Sequence, residues 1–162
     1  MIALTLVLSF LLEIIFSNIV SSTGIFVPLF FIVSLVIVYP YFKSKLYFII
    51  TCLICGIVYD LGFFNTTFIN TICFTLSGLF IMNLHSYINY NLVSTLIVNT
   101  IILIINRILS YLFLCLIAYN KFHILTLFRG IYSSLLINII YGVILFITLE
   151  FLSRKFNVKK NE

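Results

Sequence analysis

Three charged side chains lie within long apolar stretches of this sequence: Glu13, Asp60 and Arg107. If these stretches cross a membrane, a charged Asp, Lys or Arg at a helix centre costs about 2.5 to 3.5 kcal/mol, so each charge needs a partner or a water-filled cavity. Such groups can carry protons or ions, recognise a partner, or hold helices together. Glu13 and Arg107 are predicted at similar depth, and we therefore expect them to form an ion pair between two helices.

Polar residues accompany Arg107 along its own segment. Asn99, Asn106 and Ser110 recur around it at helical spacing. This spacing predicts one polar stripe that faces the interior of a helix bundle.

A second pattern surrounds Asp60. Cys52, Gly56 and Asp60 are spaced by four residues and predict a narrow face of small side chains on one helix. The following segment offers a similar small or polar surface, composed of Thr67, Asn70, Thr71, Thr75 and Gly78. We expect these two surfaces to pack closely against each other.

Motifs of soluble enzymes are absent from the sequence, which has no phosphate loop, no G-x-S-x-G and no H-E-x-x-H. Cys52 and Cys55 form a C-x-x-C, but it lies in an apolar segment without a second pair or a nearby histidine. We interpret them, with Cys73 and Cys115, as small buried hydrophobic residues. His85 and His123 are predicted in exposed loops on opposite sides. We predict no catalytic residue, no cofactor and no metal site.

The elements that position these residues are predicted from composition. The chain has 162 residues, 64% hydrophobic and 8% charged, with a mean hydropathy of +1.30, which is typical of a membrane protein. Apolar runs of about 17 to 25 residues cross a bilayer as helices. We predict an all-α integral membrane protein, a single domain over 1–162 with six transmembrane helices in one bundle, at about 2–22, 25–41, 45–63, 66–83, 92–119 and 127–152.

Two prolines bear on the second helix. Pro28 is predicted in its first turn, where a missing N–H costs little, and Pro40 is predicted to end it. The opening residues lack a basic region and a small-residue cleavage site, so we expect the first helix to be retained.

Charge distribution predicts the orientation. With both termini inside, six Lys or Arg residues lie on the inner side and two on the outer side, which favours cytoplasmic termini with a basic tail over 153–162. The net charge of +5 then reflects topology and contacts with lipid headgroups, and nucleic acid is not an expected partner.

The segment CGIVYDLGF, residues 55–63, resembles the signature segment of the MreD family of rod-shape-determining membrane proteins. LSFLLEIIF in the first helix, FVPLFFIVSLVIVYP in the second and LLINIIYGVIL in the last resemble the corresponding helices of that family. Two positions depart from the family pattern. Phe68 and Ile69 stand where the family tends to have a glycine, and Arg129 and Gly130 where a proline often precedes the last helix.

The resemblance implies a bundle similar to the substrate-binding subunits of energy-coupling-factor transporters. It also implies a non-enzymatic scaffold of the bacterial elongation (rod) complex in the cytoplasmic membrane, which regulates cell shape and lateral peptidoglycan synthesis. The expected partners are an MreC-like protein, RodA-like and class B penicillin-binding proteins, MreB filaments and the lipid bilayer. The candidate residues for structural roles or partner contacts are Glu13, Gly56, Tyr59, Asp60, Asn106, Arg107 and Asn138.

Two other interpretations of the buried polar groups stay open at this point. The groups could form a transport or proton pathway, although the sequence places no proline in the middle of a span. The chain could also be the subunit of a membrane transporter that binds a small, vitamin-like solute. For the scaffold, we expect a transmembrane segment of the MreC-like partner to dock against small-residue faces of the bundle.

Overall fold

The computed structural model describes residues 1–20, 28–63, 68–87, 90–116 and 124–156. Throughout these residues the regular structure is helical. The helices are α1 Ile2–Val20, α2 Phe30–Val38, α3 Lys45–Phe63, α4 Ile69–His85, α5 Leu92–Leu116 and α6 Ile124–Lys155, with a 3-10 turn over Tyr39–Tyr41 directly after α2. The predicted all-α class is confirmed.

The boundaries differ from the predicted ones mainly around prolines and at chain reversals. The predicted bounds of the third helix are confirmed, but α2 begins at Phe30, so Pro28 precedes the helix instead of lying in its first turn. Pro40 lies in the 3-10 turn that ends this segment, as expected of a residue without a backbone N–H. The predicted ends of the first and fifth helices, and most of the basic tail, lie outside the described residues.

Four helices are long and apolar enough to cross a membrane: they cover Ile2–Ile19, Lys45–Gly62, Leu92–Leu116 and Ile124–Lys155. The two remaining helical segments, Phe30–Tyr41 and Ile69–His85, are shorter. At 1.5 Å per residue, Phe30–Tyr41 extends over about 18 Å, less than the roughly 30 Å of a hydrocarbon core. The segment that was predicted as the second crossing therefore contains a short helix, and all residues of this helix are buried in the bundle.

Helix α2 forms the centre of the bundle. Every residue from Phe30 to Val38 is buried, and α2 packs against α1, α4, α5 and α6. A helix that is apolar on all sides is expected in a core. In contrast, α1, α3 and α6 each expose large apolar side chains on their outer faces, as the hydrocarbon of a bilayer requires.

The close packing predicted between the third and fourth helices is confirmed. A Cβ added at Gly56 would lie 2.5 Å from the Cα of Thr71, and one added at Gly78 would lie 2.7 Å from the Sγ of Cys52. Only glycine permits α3 and α4 to approach this closely at these two positions. Cys52, Cys55 and Cys73 are buried free thiols, and Cys115 is a half-buried free thiol, which agrees with their interpretation as small hydrophobic residues.

Candidate functional site

Glu13 of α1 lies at the amino end of α2. Its side chain is fully buried, its Oε2 accepts a hydrogen bond from the Phe31 N–H at 2.8 Å, and its Oε1 accepts one from the Tyr59 hydroxyl at 2.7 Å. The first N–H groups of a helix have no partner within the helix and carry a partial positive charge. A carboxylate from another helix therefore satisfies this end of α2, which has no side-chain cap of its own.

Asn138 of α6 binds the same end of α2. Its Oδ1 accepts a hydrogen bond from the Leu29 N–H at 2.7 Å, and its amide nitrogen donates to the Ser134 carbonyl one turn earlier in α6. Because Glu13 and Asn138 come from different helices, the amino end of α2 is held between α1 and α6.

The carboxyl end of α2 is satisfied from the opposite direction. The Tyr90 hydroxyl donates to the Ile37 carbonyl at 3.2 Å. Burial raises the pKa of Tyr90, so the hydroxyl keeps its proton and can donate even in alkaline solution. His85 is the last residue of α4 and is half-buried, with its ring 5.1 Å from that of Tyr39. The prediction that His85 lies in an exposed loop was therefore wrong, and His123 lies outside the described residues.

Asp60 holds the amino end of α4. Its Oδ1 accepts from the Asn70 N–H at 3.2 Å and from the Asn70 side-chain amide at 2.9 Å. Its Oδ2 accepts from the Thr71 N–H at 2.9 Å and from the Thr71 hydroxyl at 2.7 Å. Phe68, at the N-cap position, gives no side-chain cap and has a φ of 66°. A residue of α3 thus replaces the local cap, and Asp60 is a structural ligand of a helix end.

The expected ion pair between Glu13 and Arg107 is not present. The salt bridge found within the described part of the chain is Arg154 to Glu150, at 2.9 Å, between side chains one turn apart in α6. Both Glu13 oxygens are instead engaged by Tyr59 and the end of α2. Arg107 is near enough to interact electrostatically with Glu13 and Tyr59. Its Nε and Nη2 atoms are buried and have no hydrogen-bond partner among the described residues.

The polar stripe predicted on α5 is present, and it faces α4 and α6. Asn106 is buried and donates to the Ser77 hydroxyl at 3.2 Å, while Ser110 contacts the Cys73 sulfur at 3.6 Å. Asn99 is fully buried, and a Cβ added at Gly142 of α6 would lie 3.1 Å from its amide nitrogen. The stripe therefore makes polar contacts with α4 through Asn106 and Ser110. Its Asn99 packs closely against α6, but the amide group of Asn99 has no hydrogen-bond partner among the described residues.

The structure brings together only part of the predicted set of residues. Glu13, Tyr59, Arg107 and Asn138 form one layer at the amino end of α2, which we call the interior polar layer. Gly56 and Asp60 belong to the α3–α4 contact, and Asn106 to the α4–α5 contact.

A hydrogen bond between α1 and α6 involves two residues, Ser9 and Tyr141, that the sequence did not single out. The hydroxyls of Ser9 and Tyr141 lie 2.7 Å apart and join α1 to α6 beside the interior polar layer. Ser9 is four residues before Glu13, on the same face of α1, and this spacing was the available signal.

These arrangements serve to hold helices in position. Each carboxylate of the interior binds backbone N–H groups of a neighbouring helix, which is the geometry of a cap. Among the described residues, no group of three His, Cys, Asp or Glu side chains could hold a metal ion.

Comparison with known proteins identifies a family for this chain. Neither a curated protein nor a solved structure matches it. The family model described as rod shape-determining protein MreD matches residues 1–156. This match covers nearly the full length and all six helices, and the chain therefore belongs to the MreD family of rod shape-determining proteins.

Proposed function

We propose that this protein is a non-enzymatic membrane scaffold of the bacterial elongation (rod) complex. In this proposal it regulates cell shape and lateral peptidoglycan synthesis by binding an MreC-like protein, with RodA-like and class B penicillin-binding proteins and MreB filaments as further partners. It lies in the cytoplasmic membrane with both termini in the cytoplasm. Membership of a rod shape-determining family supports the role in cell shape.

The observation that carries the proposal is how the interior carboxylates are used. Glu13 and Asp60 are bound to the amino ends of α2 and α4, where each accepts hydrogen bonds from backbone N–H groups and from neighbouring side chains. This is the geometry of a helix cap, in which the carboxylate stabilises the backbone of a neighbouring helix. The interior polar groups thereby stabilise the helix bundle itself, which leaves its outer surface for contacts with partner proteins.

The structure changes where a partner helix is expected to bind. The small-residue face of α3 is covered by α4, because Gly56 lies directly against the backbone of Thr71. This face is therefore not open to an MreC-like transmembrane segment. The outer faces of α1, α3 and α6 remain exposed, and we propose that the partner segment binds one of them.

A matched series of substitutions tests this proposal. Leu8 of α1, Ile54 of α3 and Ile140 of α6 are exposed to nearly the same extent, 50%, 53% and 53%. Each is replaced by Trp, which stays apolar toward lipid but adds bulk at a helix interface. The tagged variants are purified from mild-detergent membranes, and co-purifying proteins are identified by mass spectrometry.

We expect the wild type to recover MreC-like and wall-synthesis proteins, and one of the three variants to lose them while still inserting. Undiminished recovery with all three variants would count against a partner on these faces. Recovery of ATPase and coupling subunits by the wild type would instead favour a solute-uptake role. The architectural likeness to energy-coupling-factor subunits is part of the proposal and is tested by an experimental structure of the bundle.

A further inference from the structure

The side chain of Arg107 offers an unused binding edge. Its Nε and Nη2 atoms are buried and lack a hydrogen-bond partner within the described part of the chain. On a guanidinium group, Nε and one terminal nitrogen donate in parallel from the same edge, and this spacing matches two oxygens of a phosphate or carboxylate. An unpaired cation in a low-dielectric interior is costly, so the edge has a strong preference for an oxyanion.

The acidic side chains of the chain do not meet this preference. The sequence contains four, of which Glu162 lies outside the described residues. Glu13 is bound to α2 and Tyr59, Asp60 to α4, and Glu150 to Arg154. Glu13 acts on Arg107 only through space. Among the described residues, no carboxylate remains for the unpaired edge of Arg107.

The position of Arg107 indicates where an anion comes from. Arg107 lies nine residues before Leu116, or about 14 Å from the end of α5, which is half the thickness of a hydrocarbon core. A charged group at this depth is costly unless it is paired, and lipid headgroups or water that reach it through local thinning of the bilayer lower this cost. The residue as a whole is half-buried although its Nε and Nη2 atoms are covered, so a rotation of its long side chain would bring this edge toward the surface of the bundle.

We propose that Arg107 binds a phosphate group side-on through Nε and Nη2, and that the group belongs to a membrane lipid or to free phosphate. Two other members of the interior polar layer, Glu13 and Tyr59, lie beside this site and are hydrogen-bonded to each other. The site does not rest on the scaffold role, since it needs no partner protein.

The test compares the wild type with Arg107→Gln and Arg129→Gln in a neutral detergent. Arg129 is exposed on α6, so its substitution removes the same charge without touching the interior polar layer. Thermal unfolding is followed with a thiol-reactive dye that reports exposure of the buried cysteines. The probes are phosphatidate, diacylglycerol with the same acyl chains, and inorganic phosphate.

We expect phosphatidate, compared with diacylglycerol, to raise the unfolding temperature of the wild type and of Arg129→Gln by about 3 °C near saturation. Arg107→Gln should lose this rise. Arg107→Lys keeps the positive charge but cannot donate two parallel hydrogen bonds, and it should retain only part of the rise. An equal rise with inorganic phosphate would identify free phosphate as a sufficient ligand, and a rise with phosphatidate alone would identify the lipid.

Two results would overturn the proposal. The first is an Arg107→Gln variant that responds to phosphatidate as the wild type does. The second is a wild type that responds to neither probe and shows no phosphatidate adduct in native mass spectrometry, where the diacylglycerol sample is the reference. Native mass spectrometry of the wild type alone keeps the test decisive if Arg107→Gln does not fold.

Discussion

Glu13 accepts a hydrogen bond from the Phe31 N–H at 2.8 Å, so a carboxylate of α1 closes the amino end of the helix at the centre of the bundle. With Asp60 performing the same task for α4, the two interior carboxylates act as caps supplied by a different helix. Residues that suggested ion transport or charge pairing in the sequence are therefore ligands of the backbone.

This arrangement predicts that exchanging the charges of Glu13 and Arg107 does not restore stability. Glu13→Arg removes the acceptor for Phe31 and Tyr59. A glutamate at position 107 would not replace it, because among the described residues the Nε and Nη2 atoms of Arg107 make no hydrogen bond to either of these groups. We expect Glu13→Ala and the double variant Glu13→Arg with Arg107→Glu each to lose about 3 kcal/mol in SDS-induced unfolding. A double variant as stable as the wild type would show that the two side chains pair directly.

Asp60→Ala is expected to destabilise the protein by about 2 kcal/mol, because four hydrogen bonds at the amino end of α4 lose their acceptor. Asp60→Asn keeps one acceptor oxygen in place and should lose less. The same unfolding titration measures both variants. Equal stability of Asp60→Ala and the wild type would show that α4 does not depend on this cap.

Phe68 offers a substitution that should increase stability. Its φ of 66° lies in the left-handed region that glycine adopts without strain, and its side chain is 66% exposed. We expect Phe68→Gly to gain about 0.5 to 1 kcal/mol in unfolding free energy. Phe151→Gly is the control: Phe151 is 67% exposed within α6, where a glycine should destabilise the helix by a similar amount. A loss of stability at both positions would contradict the left-handed conformation of residue 68.

Gly56 and Gly130 should respond in opposite ways to replacement by alanine. A Cβ at Gly56 would lie 2.5 Å from the Thr71 Cα, whereas nothing lies within 4 Å of a Cβ at Gly130. Gly56→Ala must separate α3 from α4, and we expect a loss of about 2 kcal/mol. Gly130→Ala should gain about 0.5 to 1 kcal/mol from helix propensity. Thermal unfolding of the two variants in the same detergent tests this prediction. Similar effects on stability at both positions would disprove it.

The cysteines provide a check on burial in the native state. Cys52 and Cys73 are fully buried and Cys55 nearly so, while Cys115 is half-buried. We expect a maleimide to modify Cys115 first under native conditions and the other three only on unfolding, as read by mass spectrometry of tryptic peptides. A Cys115→Ala variant that reacts as fast as the wild type would contradict this order.

Much of the architecture followed from the sequence alone. Long apolar runs predicted an all-helical membrane bundle, since a helix satisfies its own backbone groups in lipid. The four-residue spacing of Cys52, Gly56 and Asp60 predicted the α3–α4 contact, because periodicity within a helix places these residues on one face whatever the helix packs against.

Only the tertiary structure decided the partners of the buried charges. Similar depth made Glu13 and Arg107 look like a pair, but depth does not say which oxygen meets which donor across several helices. Helix α2 begins inside the bundle at Phe30, and its first N–H groups have no partner within the helix. The carboxylate of Glu13 therefore binds the Phe31 N–H. The starting point of α2 and the unpaired edge of Arg107 depend on how the helices pack, a property that is not local in the sequence.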